Sequence, residues 1–124
     1  MTNIAIIGAS NNKKKYGYKA VRAYDEAGYV VFPINPKEEQ IAGIKAYKSV
    51  LDIKENIDTA SFYVPPQIGE IVAKEVVKKR IKKVFLNPGS ESDKLIKILM
   101  DADTDVFRAC SILAIGFHPE AFDE

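Results

Sequence analysis

Two short stretches carry the residues best suited to hold a ligand. The first is Ile4-Ala5-Ile6-Ile7-Gly8-Ala9-Ser10-Asn11, an apolar run that breaks on a glycine and continues into small and polar residues. A break of this kind feeds a buried strand into a helix, and the main-chain N–H groups at a helix amino end accept an anion. Gly8 permits the tight turn, while Ala9 and Ser10 are small enough to let a phosphate approach the backbone. The three spaced glycines of the dinucleotide fingerprint are missing from this loop, so a turn glycine beside a helix cap is the competing reading. Lys13, Lys14 and Lys15 add a basic run, in which most of the lysines are expected in solvent and one within reach of a phosphate. The second stretch is Ile34-Asn35-Pro36-Lys37. Sites for NAD place an acidic residue about 20 residues after the glycine turn, where it binds the ribose hydroxyls. Here that position offers Asn35 and Lys37. A lysine suits a ribose that itself carries phosphate, which leaves coenzyme A and NADP both open.

These stretches need a scaffold, and the hydrophobic pattern supplies one. Residues 3–8 read as a strand, followed by Tyr16, Ala20, Ala23, Tyr24 and Ala27 at helical spacing before Gly28, a helix stop. Residues 30–34 form the second strand, with Pro33 placed near its end because proline lacks a backbone donor. The segment up to Asn56 is irregular, with a short helix opened by Ser49. Residues 59–64 read as the third strand; Pro66 then opens a helix with Ile68, Ile71, Val72 and Val76 on its inner face. Val84-Phe85-Leu86 is the fourth strand, Ser90 is expected to cap the next helix with Leu95, Ile98 and Leu99 inward, and residues 105–107 are the fifth. Alternating strands and helices imply a three-layer, doubly wound α/β fold with a parallel sheet, Rossmann-like, and the order 3-2-1-4-5 is expected. Ligands then sit outside the carboxyl ends of the strands, where the order reverses. Four loops should therefore converge: residues 8–12, Asn35-Pro36-Lys37, Val64-Pro65-Pro66 and Asn87-Pro88-Gly89.

Composition bounds the function classes. A chain of 124 residues suits a single domain, residues 1–124, with little room for a second catalytic domain. Eighteen basic against seventeen acidic residues leave a net charge of +1, so no global field selects nucleic acid or membrane as a partner. Met1-Thr2-Asn3 runs directly into a strand with no charged leader, and no apolar run approaches spanning length, so a cytoplasmic location is expected. The lone Cys110 excludes an internal disulfide.

No catalytic constellation is apparent. Asp101, Asp103 and Asp105 read as solvated, the single His118 as a tail or surface residue, and paired Cys and His residues for zinc are lacking. Cys110 is read as a buried, inert thiol; a thiol facing the crevice is the alternative. Tyr16, Tyr18 and Tyr24 are expected to pack rather than stack on bases.

Taken in order, Ile-Ile-Gly-Ala-Ser, Pro-Ile-Asn-Pro-Lys, Tyr47-Lys48-Ser49, Val64-Pro65-Pro66 and Asn87-Pro88-Gly89-Ser90-Glu91-Ser92 resemble the motifs of the small CoA-binding-domain proteins. These are similar to the amino-terminal domain of the succinyl-CoA synthetase α subunit standing alone. The resemblance implies phosphate contacts at Gly8, Ala9 and Ser10, nucleotide contact at Lys37, and flanking contacts from Val64, Pro65, Leu86, Asn87 and Pro88; the neighbouring Asn11, Asn35 and Pro36 are counted as candidate binding residues with them. It implies a module that binds coenzyme A or an acyl-CoA without chemistry of its own, since the synthetase's catalytic histidine has no counterpart here. The alternatives are an NADP-binding oxidoreductase fragment acting with a partner subunit, and a protein-interaction module whose crevice is vestigial.

Overall fold

The structure, a computed structural model, describes residues 2–123; Met1 and Glu124, the outer ends of the expected domain, lie outside the described residues. Five parallel strands form the central sheet: β1 (Asn3–Ile7), β2 (Val30–Ile34), β5 (Thr59–Phe62), β6 (Lys83–Leu86) and β7 (Asp105–Arg108). A small antiparallel pair, β3 (Gln40–Ile41) and β4 (Ile44–Lys45), lies between β2 and β5 in the chain. The helices are α1 (Tyr16–Glu26), α2 (Pro66–Lys79), α3 (Asp93–Asp101) and the one-turn α4 (Ser111–Ala114), with 3-10 turns at Val50–Asp52 and Pro119–Phe122.

Alternation along the strands fills a core on each face of the sheet. Ile4 and Ile6 of β1 pack with Val21, Tyr24, Ile112 and Phe122, under α1, α4 and the last 3-10 turn. Ala5 and Ile7 of the same strand pack with Val50, Ile53, Val76, Leu95 and Leu99, under α2, α3 and the first 3-10 turn. The fold is thus the expected Rossmann-like three-layer arrangement.

The strand order corrects the expectation. The sheet runs β2-β1-β5-β6-β7, which in chain order of its strands is 2-1-3-4-5 and not 3-2-1-4-5. Pro33 explains the difference. The Val30 amide and the Ile34 carbonyl bond toward β1, whereas the Pro33 carbonyl and the Asn35 amide face away and bond Tyr47, each at 2.9 Å. Pro33 therefore turns its missing donor to the outside, where a third strand would have needed it, and β2 is an edge. The connection after β2 then crosses to the opposite face and returns at β5, which keeps the crossover right-handed. β5 is buried along its whole length, as a central strand must be.

Two local expectations also change. The inner face of α2 is Gly69, Ala73 and Val76, with Ile68 and Ile71 left 50% and 66% exposed. The small stripe wins because it lets the helix settle close to α3 and the sheet: a Cβ on Gly69 would lie 3.2 Å from Leu95 Cδ2 of α3 and 3.5 Å from Phe62 Cδ2 of β5. The cap of α3 is Ser92, whose Oγ accepts from the Leu95 amide at 3.1 Å, while Ser90 is buried and donates to the Phe62 carbonyl. Ser49 does open the first 3-10 turn, accepting from the Leu51 amide.

Candidate functional site

A cavity of about 700 Å³ opens at the carboxyl ends of β1 and β5, the place where the strand order reverses. Ligands of doubly wound sheets collect there. All four expected loops contribute to its wall: Gly8, Ala9 and Ser10 after β1; Asn35 after β2; Val64 and Pro65 after β5; Pro88, Gly89 and Ser90 after β6. The start of α1 closes the remaining side with Lys14, Lys15, Tyr16 and Gly17.

The turn after β1 is held by two close approaches. Gly8 adopts φ +89°, and a Cβ there would stand 2.9 Å from the Tyr63 carbonyl and from Val64. A Cβ on Gly17 would stand 2.2 Å from the Gly8 carbonyl oxygen, so α1 begins in contact with the turn. In the dinucleotide fingerprint a later glycine performs this close helix–strand packing. Here the role falls to Gly17, outside the usual spacing, which is why the motif was not legible as a fingerprint.

The donor set suits a phosphate. No side chain caps the amino end of α1, and its first turn carries no acidic residue. The Tyr18 amide bonds back to the Lys15 carbonyl, and the amides of Tyr16 and Gly17 with the positive end of the dipole can meet an anion, with Lys14 and Lys15 beside them. Ser10 Oγ accepts from the Asn12 amide at 3.0 Å and Asn12 Oδ1 from the Lys14 amide at 3.1 Å, which shapes the loop between strand and helix.

The other anticipated residues take distinct places. Asn35 Nδ2 donates to the Ala9 carbonyl at 2.9 Å, and its Oδ1 accepts from the amides of Lys37 and Glu38. Pro36 and Lys37 follow it, exposed, and are not among the cavity's lining residues. Asn11 Nδ2 bonds Glu38 Oε2 and the Gln40 carbonyl, both at 2.9 Å, tying the loop to the segment after β2. The Leu86 side chain is fully buried in the sheet core. Asn87 is buried too: Nδ2 donates to Ser61 Oγ and the Phe62 carbonyl, and Oδ1 accepts from the Ser111 amide, all at 2.8 Å.

Asn87 belongs to a polar network behind the cavity that the sequence did not disclose. Ser111 Oγ lies 2.7 Å from Ser61 Oγ and 2.8 Å from the Tyr63 hydroxyl, and Tyr24 donates to the Ser111 carbonyl at 2.8 Å. Burial raises the pKa of both tyrosines, that of Tyr24 to about 12. Both stay neutral donors at ordinary pH. Tyr63 is thereby fixed as a wall of the cavity.

A second cavity of about 470 Å³ adjoins the first and shares Tyr16, Tyr63 and Pro88 with it. Cys110 and His118 line it: His118 is exposed, as the surface reading expected, whereas Cys110 packs half-buried against the core at the edge of this space and is not fully buried. Tyr18 and Tyr24 pack as anticipated, but Tyr16 is 58% exposed and faces both cavities. Asp101, Asp103 and Asp105 are exposed, as read from the sequence. Among the described residues no cluster of His, Cys, Asp or Glu is arranged to hold a metal, and no helix is long and apolar enough to cross a membrane.

Fold and cavity together define a Rossmann-like doubly wound α/β domain with a glycine turn at the switch point of its sheet. The chain belongs to the CoA-binding domain family, which matches residues 2–116. It is 42% identical over 80 residues to an ADP-forming acetate–CoA ligase of Methanocaldococcus jannaschii, covering 64% of this chain and 11% of the ligase. It is 40% identical over 84 residues to the α subunit of the ADP-forming acetate–CoA ligase II of Pyrococcus furiosus, covering 67% of this chain and 18% of that subunit. The chain thus spans less than a fifth of either relative's length. Among solved structures, a conserved hypothetical protein of Pyrococcus furiosus superposes with a TM-score of 0.86 at 36% identity, covering 92% of this chain and 99% of its own. An acetyl-coenzyme A synthetase of Ca. Korarchaeum cryptofilum, described in complex with phosphate and ADP, gives 0.79 at 25% identity over 88% of this chain and 26% of its own.

Proposed function

We propose that this protein binds coenzyme A or an acyl-CoA as a binding or regulatory module and performs no bond-making chemistry itself. One observation carries the reading: the uncapped amino end of α1 meets the glycine turn after β1 and two lysines in a cavity at the switch point, in a chain of the CoA-binding domain family. Gly8, Ala9, Ser10 and the first turn of α1 hold the pyrophosphate, and Lys37 at the end of β2 reads the phosphate on the ribose. Val64 and Pro65 give apolar contact on one side and Pro88 on the other. Asn11, Asn35 and Asn87 hold the loops in place. Pro36 fixes the backbone that leads to Lys37, and Leu86 supports the loop after β6 from within the core.

Calorimetric titration of the purified protein with CoA, and with NADP in parallel, tests this. Binding of CoA in the micromolar range with weaker or undetectable NADP binding is expected. Tighter binding of NADP would mean that the cavity serves a dinucleotide and that the oxidoreductase-fragment reading replaces this one. Binding of neither at millimolar concentration would leave the interaction-module reading.

A further inference from the structure

The two joined cavities differ in chemistry. The first offers main-chain amides, the amino end of α1, Lys14 and Lys15. The second has neither lysine nor arginine in its wall; besides its two tyrosines, its ionisable members are Cys110, His118 and Glu120. Much of its surface is the apolar faces of Tyr16, Tyr63, Pro88, Leu113 and Pro119. A ligand that fills both has a strongly anionic end and an uncharged, less polar end. Leu113 and Tyr16 are 51% and 58% exposed, two large apolar side chains that the core does not use and that face this space.

The far wall is also fixed. Phe122 is buried against α1, with the Arg22 guanidinium 5.7 Å from its ring centre, and Lys19 pairs with Asp123. These contacts hold the Pro119–Phe122 turn beside α4 and so shape the cavity between them. Tyr63, on the shared wall, is fixed through Ser111. A cavity of about 470 Å³ falls within the usual range for small-molecule sites, about 300–1,000 Å³.

We propose that the second cavity seats the acyl group of a CoA thioester, and that it selects a short, uncharged acyl chain. This rests on the CoA reading given above. The two spaces adjoin at Tyr16, Tyr63 and Pro88, so a ligand held by its phosphates in the first would carry its thioester end past these three residues into the second. Glu120, with neither lysine nor arginine in the wall to offset it, disfavours an acyl group that ends in a carboxylate.

Calorimetry with CoA, butyryl-CoA and succinyl-CoA on the intact chain tests the proposal. Butyryl-CoA is expected to bind about tenfold more tightly than CoA, the gain from burying part of its hydrocarbon chain, and succinyl-CoA no more tightly than CoA. In Leu113→Asp the butyryl-to-CoA affinity ratio is expected to fall to about one. The wild-type ligand series does not depend on the folding of any variant. Equal affinity for CoA and butyryl-CoA would overturn the acyl site and leave the CoA reading standing. Succinyl-CoA binding as tightly as butyryl-CoA would overturn the selection by charge. No binding of any of the three would overturn the CoA reading itself.

Discussion

The Asn35 side chain ties the loop after β1 to the segment after β2, donating to the carbonyl of Ala9 while accepting from the amides of Lys37 and Glu38. It sets the backbone from which Lys37 projects. If Lys37 reads a ribose phosphate, Lys37→Ala weakens CoA binding about 10- to 100-fold, the worth of one charge-assisted hydrogen bond, and leaves the melting temperature unchanged. Calorimetry that finds the affinity unaltered removes Lys37 from the site. Asn87 is different in kind, because its three bonds are all internal. Asn87→Ala leaves the buried Ser111 amide without its acceptor and is expected to cost about 1–3 kcal/mol in urea denaturation. The loss then appears in stability before it appears in affinity.

At the scale of elements, the contact between α1 and the turn after β1 is the most demanding. A methyl group at Gly17 would stand 2.2 Å from the Gly8 carbonyl, so Gly17→Ala must push the helix from the turn. Overpacking of this kind costs about 1–3 kcal/mol. The same shift moves the amide groups of α1 off the anion, so CoA affinity is expected to fall together with the denaturation midpoint. A variant that keeps both sets Gly17 apart from the site. The elements themselves were legible wherever a single period ruled, as in β1, α1 and the Leu95–Leu99 face of α3. Strand order was not, because it depends on which way Pro33 turns its missing donor and on which face the chain crosses after β2. The inner face of α2 was misread because Ile68 and Ile71 are the larger apolar residues, whereas closeness to the sheet selected Gly69 and Ala73. The four loops of the first cavity were legible because a parallel α/β sheet sends the carboxyl ends of its strands to one edge. The second cavity was not, since Tyr63, Ser111 and the Pro119–Phe122 turn meet only after the tail folds back on α1.

For the molecule as a whole, the buried tyrosines couple stability to alkaline pH. An unfolded tyrosine ionises near pH 10, whereas burial holds Tyr24 neutral to about 12 and raises Tyr63 as well. Raised pKa values of this kind leave stability intact below pH 10 and remove it as pH climbs from 10 toward 12. The loss is about 1.4 kcal/mol per pH unit for each resisting tyrosine. Urea midpoints measured across this window are expected to fall steeply, and less steeply in Tyr24→Phe. An equal slope in that variant would show that Tyr24 ionises freely in the folded state.

Two of the three asparagines that hold the cavity's loops share a chemical circumstance: each is followed by a proline, Pro36 after Asn35 and Pro88 after Asn87. Spontaneous deamidation of asparagine begins when the next residue's backbone nitrogen gives up its hydrogen and attacks the side-chain carbonyl carbon. Proline has no such hydrogen. Conversion to aspartate would replace a donor aimed at the Ala9 carbonyl, in one case, and at the Phe62 carbonyl, in the other, with a repelling carboxylate. The sequence thus blocks this route of chemical ageing at Asn35 and Asn87, and a sample stored for long periods keeps the bonds that these two side chains make.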